Sequence, residues 1–586
     1  MKFLRQHWLN LISLSDNQIG LALLALLAGI ATALVITLFR LAIEIPLVLT
    51  LPMESSEHYE QLTQWTRLAL LFGGSLVLIV TFHLLRPERR GVGVAHVMQR
   101  MELHQGYLPL PNLVLQWWAA AVAILSGHSV GREGPAIHMG AGTASQIGQR
   151  VGLAHHRLRI LAGAGVASAI AASFNTPMAG VIFAMEVVLL EYSIRGFIPI
   201  ILASVAGAIV SEAIFGAETA FAVPGVDMHS LAEIPYVLAL AVGAGLVAAA
   251  YIHLVRFFQR MNSLPIWLKW GSLTAATALL SLFLPQIMGI GYDTVNDTLA
   301  GNVVMTTLFL LLAGKLLLSS WAAGVAFPAG LIGPTLFIGA ALGGLMGQLS
   351  AYVFPEYPVS IGFYAVLGMG ALMGAVLRAP LAALVALLEL TANPNIIMPG
   401  MLTIVIASLV VSEVFRLPSV FEVQLGGGHN YQLPDPVQQM LRNTWVAEVM
   451  TQSVVVSNRY VSPEAAGFML QREPEWLLLE DDKVILPPAA VAEALALRRE
   501  QQEELTDEQK AAQPDSSDLD LIAIPADRQQ VAMISLKANL QDALDLMQQH
   551  HIQWLAVYRD DQFRRCVGLV SQTRIEHFYR YQPRGR

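Results

Sequence analysis

Residues 19–39 read IGLALLALLAGIATALVITLF, a run without a single charged side chain. About 20 such residues, each rising ~1.5 Å along a helix, cover the hydrocarbon thickness of a bilayer. Inside that layer no water satisfies backbone N–H and C=O groups, so a spanning chain folds as helices or a closed barrel. LALLFGGSLVLIVTFHLL, residues 68–85, meets the same criterion. Composition agrees, with 55% of the 586 residues hydrophobic and 13% charged, where a soluble domain carries roughly 25% charge. The chain is therefore expected to be an all-α polytopic membrane protein. No short cleavable apolar region with a small-residue cleavage site precedes the first run, so that run is read as a retained membrane helix.

The charges that remain are informative. Arg86, Arg89, Arg90 and Arg100 bracket one connection, and Arg150, Arg157 and Arg159 mark another. The positive-inside rule places both on the cytoplasmic side of the cell (inner) membrane. A net charge of −8 leaves no footprint for nucleic acid. The single cysteine, Cys566, excludes an intramolecular disulfide framework and a thiolate metal cluster.

Three regions follow one another. Residues 1–425 are apolar and rich in glycine, and glycine and proline are expected to break many segments into short pieces. Residues 426–442 are a linker, beginning at LGGGHNYQLPDP, after which the composition turns soluble. Within the apolar region the halves, about 19–215 and 235–415, repeat. GREGPAIHMGAG followed by FNTPMAGVIFAMEV is echoed by GLIGPTLFIGAALGG followed by GAVLRAPLAALVALLEL. In each, a Gly-x-x-Gly-Pro turn opens a helix, and a second proline follows 42 residues on (Pro135 to Pro177) or 46 (Pro334 to Pro380). Paired broken helices in corresponding positions point to a binding site between two halves.

The first turn holds Arg132 and Glu133 at membrane depth, where charge is costly and usually functional. Pro135 suits the first turn of a helix, where its missing N–H costs nothing. Gly131 and Gly134 then leave open backbone N–H groups at the positive end of that helix, which is an anion-binding arrangement. Glu133 supplies a carboxylate where a free anion would otherwise sit. Gly330, Leu331 and Ile332 repeat the entrance without the acid. A helix-packing glycine motif and a surface carboxylate complementing the dipole are the plainer readings of these two turns.

These motifs, in this order, resemble the CLC family of chloride channels and proton/chloride exchangers over nearly the whole apolar region. The resemblance implies a homodimer with one pore in each subunit, an inverted repeat of tilted, partly broken helices, and chloride as the ligand. It implies that Glu133 is the gate, blocking the anion path when ionised. The family's first anion loop matches Gly91-Val92-Gly93, with Val92 in place of the usual serine. Ile332 stands for the usual phenylalanine, and Phe421 falls where a tyrosine hydroxyl usually meets the central anion. A site without those hydroxyls relies on backbone N–H groups and is expected to hold chloride weakly, each lost bond being worth ~1.5–3 kcal/mol.

One further position bears on mechanism. Exchangers of the family carry a proton-transfer glutamate where this chain has Val187, and Glu186 matches a neighbouring structural glutamate. Valine relays no proton, so the expectation is a passive, Glu133-gated chloride channel, controlled by voltage or pH. A proton-coupled chloride antiporter using another acid, such as Glu191, is the alternative.

The tail repeats as well. Trp476 and Trp554 each start a strand, followed by paired aspartates (Asp481 and Asp482, Asp560 and Asp561), a second strand and a helix. The resemblance here is to a pair of α/β CBS domains, at residues 443–500 and 520–586, joined by a polar linker at 501–519 expected to be disordered. Arg574 follows Ser571 where nucleotide-binding copies place an acid, so bound nucleotide is not expected and no cofactor is required. An enzyme is disfavoured. His128, Ser129 and His138 flank the gate motif, but neighbouring His and Ser residues do not make a triad. His155 and His156 read as solvated members of a basic loop.

Overall fold

The computed structural model describes residues 18–51, 53, 57–192, 194–216, 221, 231–353, 360–426, 436–503, 518–559 and 565–581. The chain divides into two compact units, with the boundary near residue 432.

The first unit is helical. Among the described residues, nine helices of 18 or more residues are apolar enough to cross a membrane, from Gln18–Thr50 to Pro394–Val414. Four shorter apolar helices accompany them: Leu110–Leu125, Pro177–Leu189, Ile361–Leu377 and Pro380–Thr391. Among the described residues long helices therefore outnumber short ones, and fewer segments are broken than the glycine and proline content suggests. The reason is that many glycines sit inside helices as contact points rather than as breaks. The Glu133–Val151 helix crosses His155–Phe174 so closely that a Cβ on Gly140 would lie 2.3 Å from the Gly165 carbonyl oxygen. Ile332–Val353 crosses Ile361–Leu377 in the same way, with Gly339 against Gly368.

The repeat is thus structural. Pro135 and Pro334 each occupy the third residue of their helix. After the crossing helix, each half continues into a proline-led piece, Pro177–Phe183 or Pro380–Thr391. Only the first of these unwinds into a six-residue π-helical stretch, Ala184–Leu189.

The second unit is α/β. Strand β1 (Val454–Ser457) pairs parallel with β3 (Trp476–Leu479), which pairs antiparallel with β4 (Val484–Leu486). Strands β6 (Gln529–Ser535), β7 (Trp554–Tyr558) and β8 (Cys566–Ser571) repeat that pattern, and β4 joins β6 antiparallel. Trp476 and Trp554 begin equivalent strands and meet edge to face at 4.9 Å. Two short strands, β2 (Tyr460–Val461) and β5 (Leu519–Asp520), pair with one another. Leu519, Leu521 and Ile524 consequently pack into the core of the first copy, while Leu441 and Val446 pack into that of the second. Breaks at 500 and 520 therefore cut through a packed core. The helix Pro488–Glu503 also extends into the segment read as linker, whereas residues 504–517 and Asp560 and Asp561 lie outside the described residues.

Candidate anion pathway

The two Gly-x-x-Gly-Pro entrances meet face to face. Gly131 N–H donates to Gly330 O and Gly330 N–H to Gly131 O, both at 2.8 Å. Glycine is required for this approach, since a Cβ on Gly330 would stand 2.7 Å from Gly134 N and 2.8 Å from Gly131 O. The expectation that the Gly131 N–H stays open for an ion is thereby corrected. It holds the other half of the molecule instead.

Glu133 is 1% exposed and reaches across to the second entrance. Gly333 N–H donates to its Oε2 at 3.0 Å, and the Tyr292 hydroxyl donates to its Oε1. The carboxylate therefore occupies the N-terminal end of the opposite helix, Ile332–Val353, where aligned peptide dipoles favour negative charge. Tyr292 thus joins Glu133 as a second polar side chain at the gate, one the sequence did not single out. It begins the Tyr292–Leu299 helix, whose first N–H donates to Glu57 Oε2 at 2.6 Å. Lys315, fully buried, donates to Gly289 O at 2.9 Å and so fixes the turn leading into Tyr292.

The residues before and after Glu133, Arg132 and Gly134, line two different cavities. The larger, about 680 Å³, is lined by charged and polar groups including Arg40, Glu44, Arg132, Tyr292 and Asp293. Arg132 was expected among the anion-binding residues of its own entrance, with Gly131 and Gly134, yet it lines this larger cavity instead. Its guanidinium lies 3.9 Å from Glu44 and 5.3 Å from the Tyr292 ring centre, because successive residues at a helix entrance point to different sides. Asp293 lies outside the membrane-length helices. Burial, and secondly the nearby Glu57 charge, push its carboxyl up to about 7.

The smaller cavity, about 260 Å³, gathers Gly91, Val92, Gly93, Gly134, Gly330, Leu331, Ile332 and Phe421. Eight of the residues singled out by sequence, from four distant stretches, thus form one wall. Val92 and Phe421 stand in it without hydroxyls. Gln116, buried in the Leu110–Leu125 helix, braces this wall. Its Oε1 accepts from Gly93 N–H at 2.6 Å, and its Nε2 donates to Pro328 O. Gly93 has φ +82°, the left-handed region that glycine tolerates.

Glu186 does not face either cavity. Its carboxylate accepts from Leu381 and Ala382 N–H at 3.2 and 2.7 Å, capping the Pro380–Thr391 helix. Glu389 returns the arrangement, accepting from Met178 and Ala179 N–H at 2.8 Å each. Val187 is buried in the π-helical stretch, and Glu191 follows it, half-buried. His128 bonds to Ser126 and Ser75 at 2.9 Å each, while Ser129 Oγ has no partner among the described residues, so these two form no catalytic pair. In the C-terminal unit, the Arg574 guanidinium lies 3.4 Å from Glu475, and the Arg574 backbone N–H donates to Ser571 Oγ.

Comparison with known proteins follows this geometry. An H(+)/Cl(-) exchange transporter, ClcA, of Vibrio cholerae is 28% identical over 405 residues, covering 67% of this chain and 86% of the relative. A putative chloride channel protein, ClcB-like, of Ralstonia nicotianae is 28% identical over 365 residues, 61% of this chain and 85% of that one. A slow cyanobacterial Cl−/H+ antiporter superposes with a TM-score of 0.61 at 22% identity, covering 69% of this chain and 97% of its own. A eukaryotic CLC transporter gives 0.58 at 20% identity and covers 94% of this chain and 97% of its own. The model of the voltage gated chloride channel family matches residues 73–412. That is more than half of the sequence, and the chain belongs to the voltage gated chloride channel family, an anion-transporting membrane family.

Proposed function

We propose that this protein exchanges chloride for protons across the membrane, with Glu133 both closing the anion path and accepting the proton. The observation that carries this reading is the position of the Glu133 carboxylate. It occupies an N–H and a hydroxyl, donors that suit a chloride ion equally well, while its neighbours Arg132 and Gly134 line two separate cavities. Protonation removes its negative charge and weakens both bonds, freeing the donors for an anion. The names of relatives that are exchangers support the same reading.

A second reading, passive gated conduction, draws on Val187, a side chain that cannot carry a proton. Liposomes separate the two. Under an imposed chloride gradient the exchange reading expects protons to move uphill. Chloride flux with no proton movement would establish the passive one.

The same proposal takes the protein as a homodimer in the cell (inner) membrane. Arg90, which lines the smaller cavity, belongs to a basic connection that the positive-inside rule assigns to the cytoplasm, and the α/β tail is placed on that side. The tail is taken as a CBS-like pair acting as a cap. Arg574 engages Glu475 rather than standing open to a ribose, which supports a pair that works without nucleotide, and no cofactor is required.

A further inference from the structure

A histidine pair, one ring buried and the other half-buried, lies in the wall of the smaller cavity. The Gly93–Leu103 helix carries His96 and the Glu133–Val151 helix carries His138. His96 Nδ1 and His138 Nε2 are 2.9 Å apart, with the rings nearly parallel and their centres at 5.2 Å. His96 lines the cavity, and its Nε2 lies against Gly91, where an added Cβ would approach it to 2.6 Å. His138 is 0% exposed, and its Nδ1 has no hydrogen-bond partner among the described residues. Two imidazoles in a core normally find four partners, because a buried ring nitrogen left unpaired is costly. This pair shares one bond and presents one ring to the anion cavity.

We infer that His96 and His138 form a proton-binding site loaded together with the anion in the smaller cavity. In the neutral pair each ring carries one proton: His96 Nδ1–H donates to His138 Nε2, and His138 keeps its proton on Nδ1. A third proton, from water in the cavity, adds at His96 Nε2 and leaves hydroxide to the solvent. The resulting cation keeps its Nδ1–H donated to His138 Nε2, so the bridge survives and the positive charge faces the cavity.

The surroundings make this loading conditional. Burial first, and then the charges of Arg100 and His104, hold the His96 imidazole below its ordinary range, and Arg90 lines the same cavity. The acids on the packed elements are committed elsewhere. Glu186 caps Leu381 and Ala382, Glu422 closes the capping box of Ser419, and Glu44 pairs with Arg40. On the pair's own helices, Glu133 is held by Gly333 N–H and the Tyr292 hydroxyl, and Glu102 stands six residues beyond His96. With Arg90 and Arg100 close by, the pair stays neutral until an anion enters. Coupling of this kind is reciprocal, so a proton on the pair strengthens anion binding by the same factor. His138 also stands five residues beyond Glu133 on one helix, about 7.5 Å along its axis. As the source of transported protons the pair rests on the exchange reading, and it takes the place that Val187 leaves empty. As a proton site linked to the anion it does not depend on that reading.

The test is calorimetric titration of chloride into the purified full chain carrying Glu133→Gln, which removes proton uptake by the gate. Two buffers of different ionisation enthalpy report protons taken up per chloride. The expected result is uptake that peaks on the acid side of ~6.5, the ordinary histidine value, because burial lowers His96 in the anion-free protein, and chloride affinity several-fold higher at pH ~5 than at ~8. Adding His138→Gln abolishes both effects. His96→Gln, at the half-buried ring, does the same if the His138 variant fails to fold. No chloride-linked uptake in the Glu133→Gln protein, or uptake unchanged in both histidine variants, overturns the inference. Failure of the wild type to move protons in liposomes would instead remove the exchange reading, and the calorimetric result would still decide the histidine site.

Discussion

The two halves of the membrane unit meet in two ways. At Glu186 and Glu389 the contact is symmetric. Each carboxylate stands nine residues after its proline and caps the first turn of the other half's proline-led helix. At the Gly-x-x-Gly-Pro entrances the backbone is equally symmetric, through Gly131 and Gly330, but the side chains are not. Glu133 corresponds to Ile332, and Arg132 to Leu331. The comparison separates two uses of an intramembrane carboxylate. A paired acid on a helix end that is always occupied holds the fold. An unpaired acid on a helix end that an ion also fits is free to be displaced.

The largest expected effect tests the asymmetric member. Glu133→Gln should reduce chloride-driven proton movement by at least about tenfold, corresponding to ~1.4 kcal/mol or more of lost coupling, while chloride flux persists. Proton movement at wild-type rates would break the distinction. Glu186→Gln and Glu389→Gln should each weaken two charge-assisted bonds, lowering stability by about 1–3 kcal/mol. The two variants should shift the thermal midpoint in detergent by similar amounts. A shift confined to one would show that the symmetry is not mechanical.

Tyr292→Phe removes one bond from the closed gate. At ~1 kcal/mol this should raise chloride flux about fivefold at fixed pH, measured by efflux from liposomes. The smallest effect is at Asp293. With its carboxyl raised to about 7, it is neutral below that pH and negative above it. Asp293→Asn should therefore raise chloride flux above pH 7, roughly twofold, and leave it unchanged well below, because only the ionised form repels anions entering the larger cavity.

Much of this was legible in the sequence. The glycine and proline punctuation places both entrances, and an acid in an apolar run singles out Glu133, so local chemistry was sufficient there. Glu389 was readable too, since it repeats the Pro177-to-Glu186 spacing. Gln116 and Lys315 carry a fainter signal as lone polar residues in QWWAAAVAIL and LLLAGKLLLSS. Tyr292 carries none, because YDTVNDTL is unremarkable until folding brings residues 159 positions apart into contact. The direction of Arg132 was equally hidden, for it depends on the turn geometry at Gly131. In the tail the tryptophan-led strands were visible, whereas the exchange of Leu441 and Leu519 between cores depends on long-range pairing that no local pattern encodes.

The central claim is that the Glu133 carboxylate fills an anion site. It is tested most directly by a crystal structure of the Glu133→Gln protein grown in bromide. The account predicts anomalous density in contact with Gly333 N–H and the Tyr292 hydroxyl, with the glutamine side chain displaced. A glutamine amide still bonded to both donors, with no bromide against them, would contradict it.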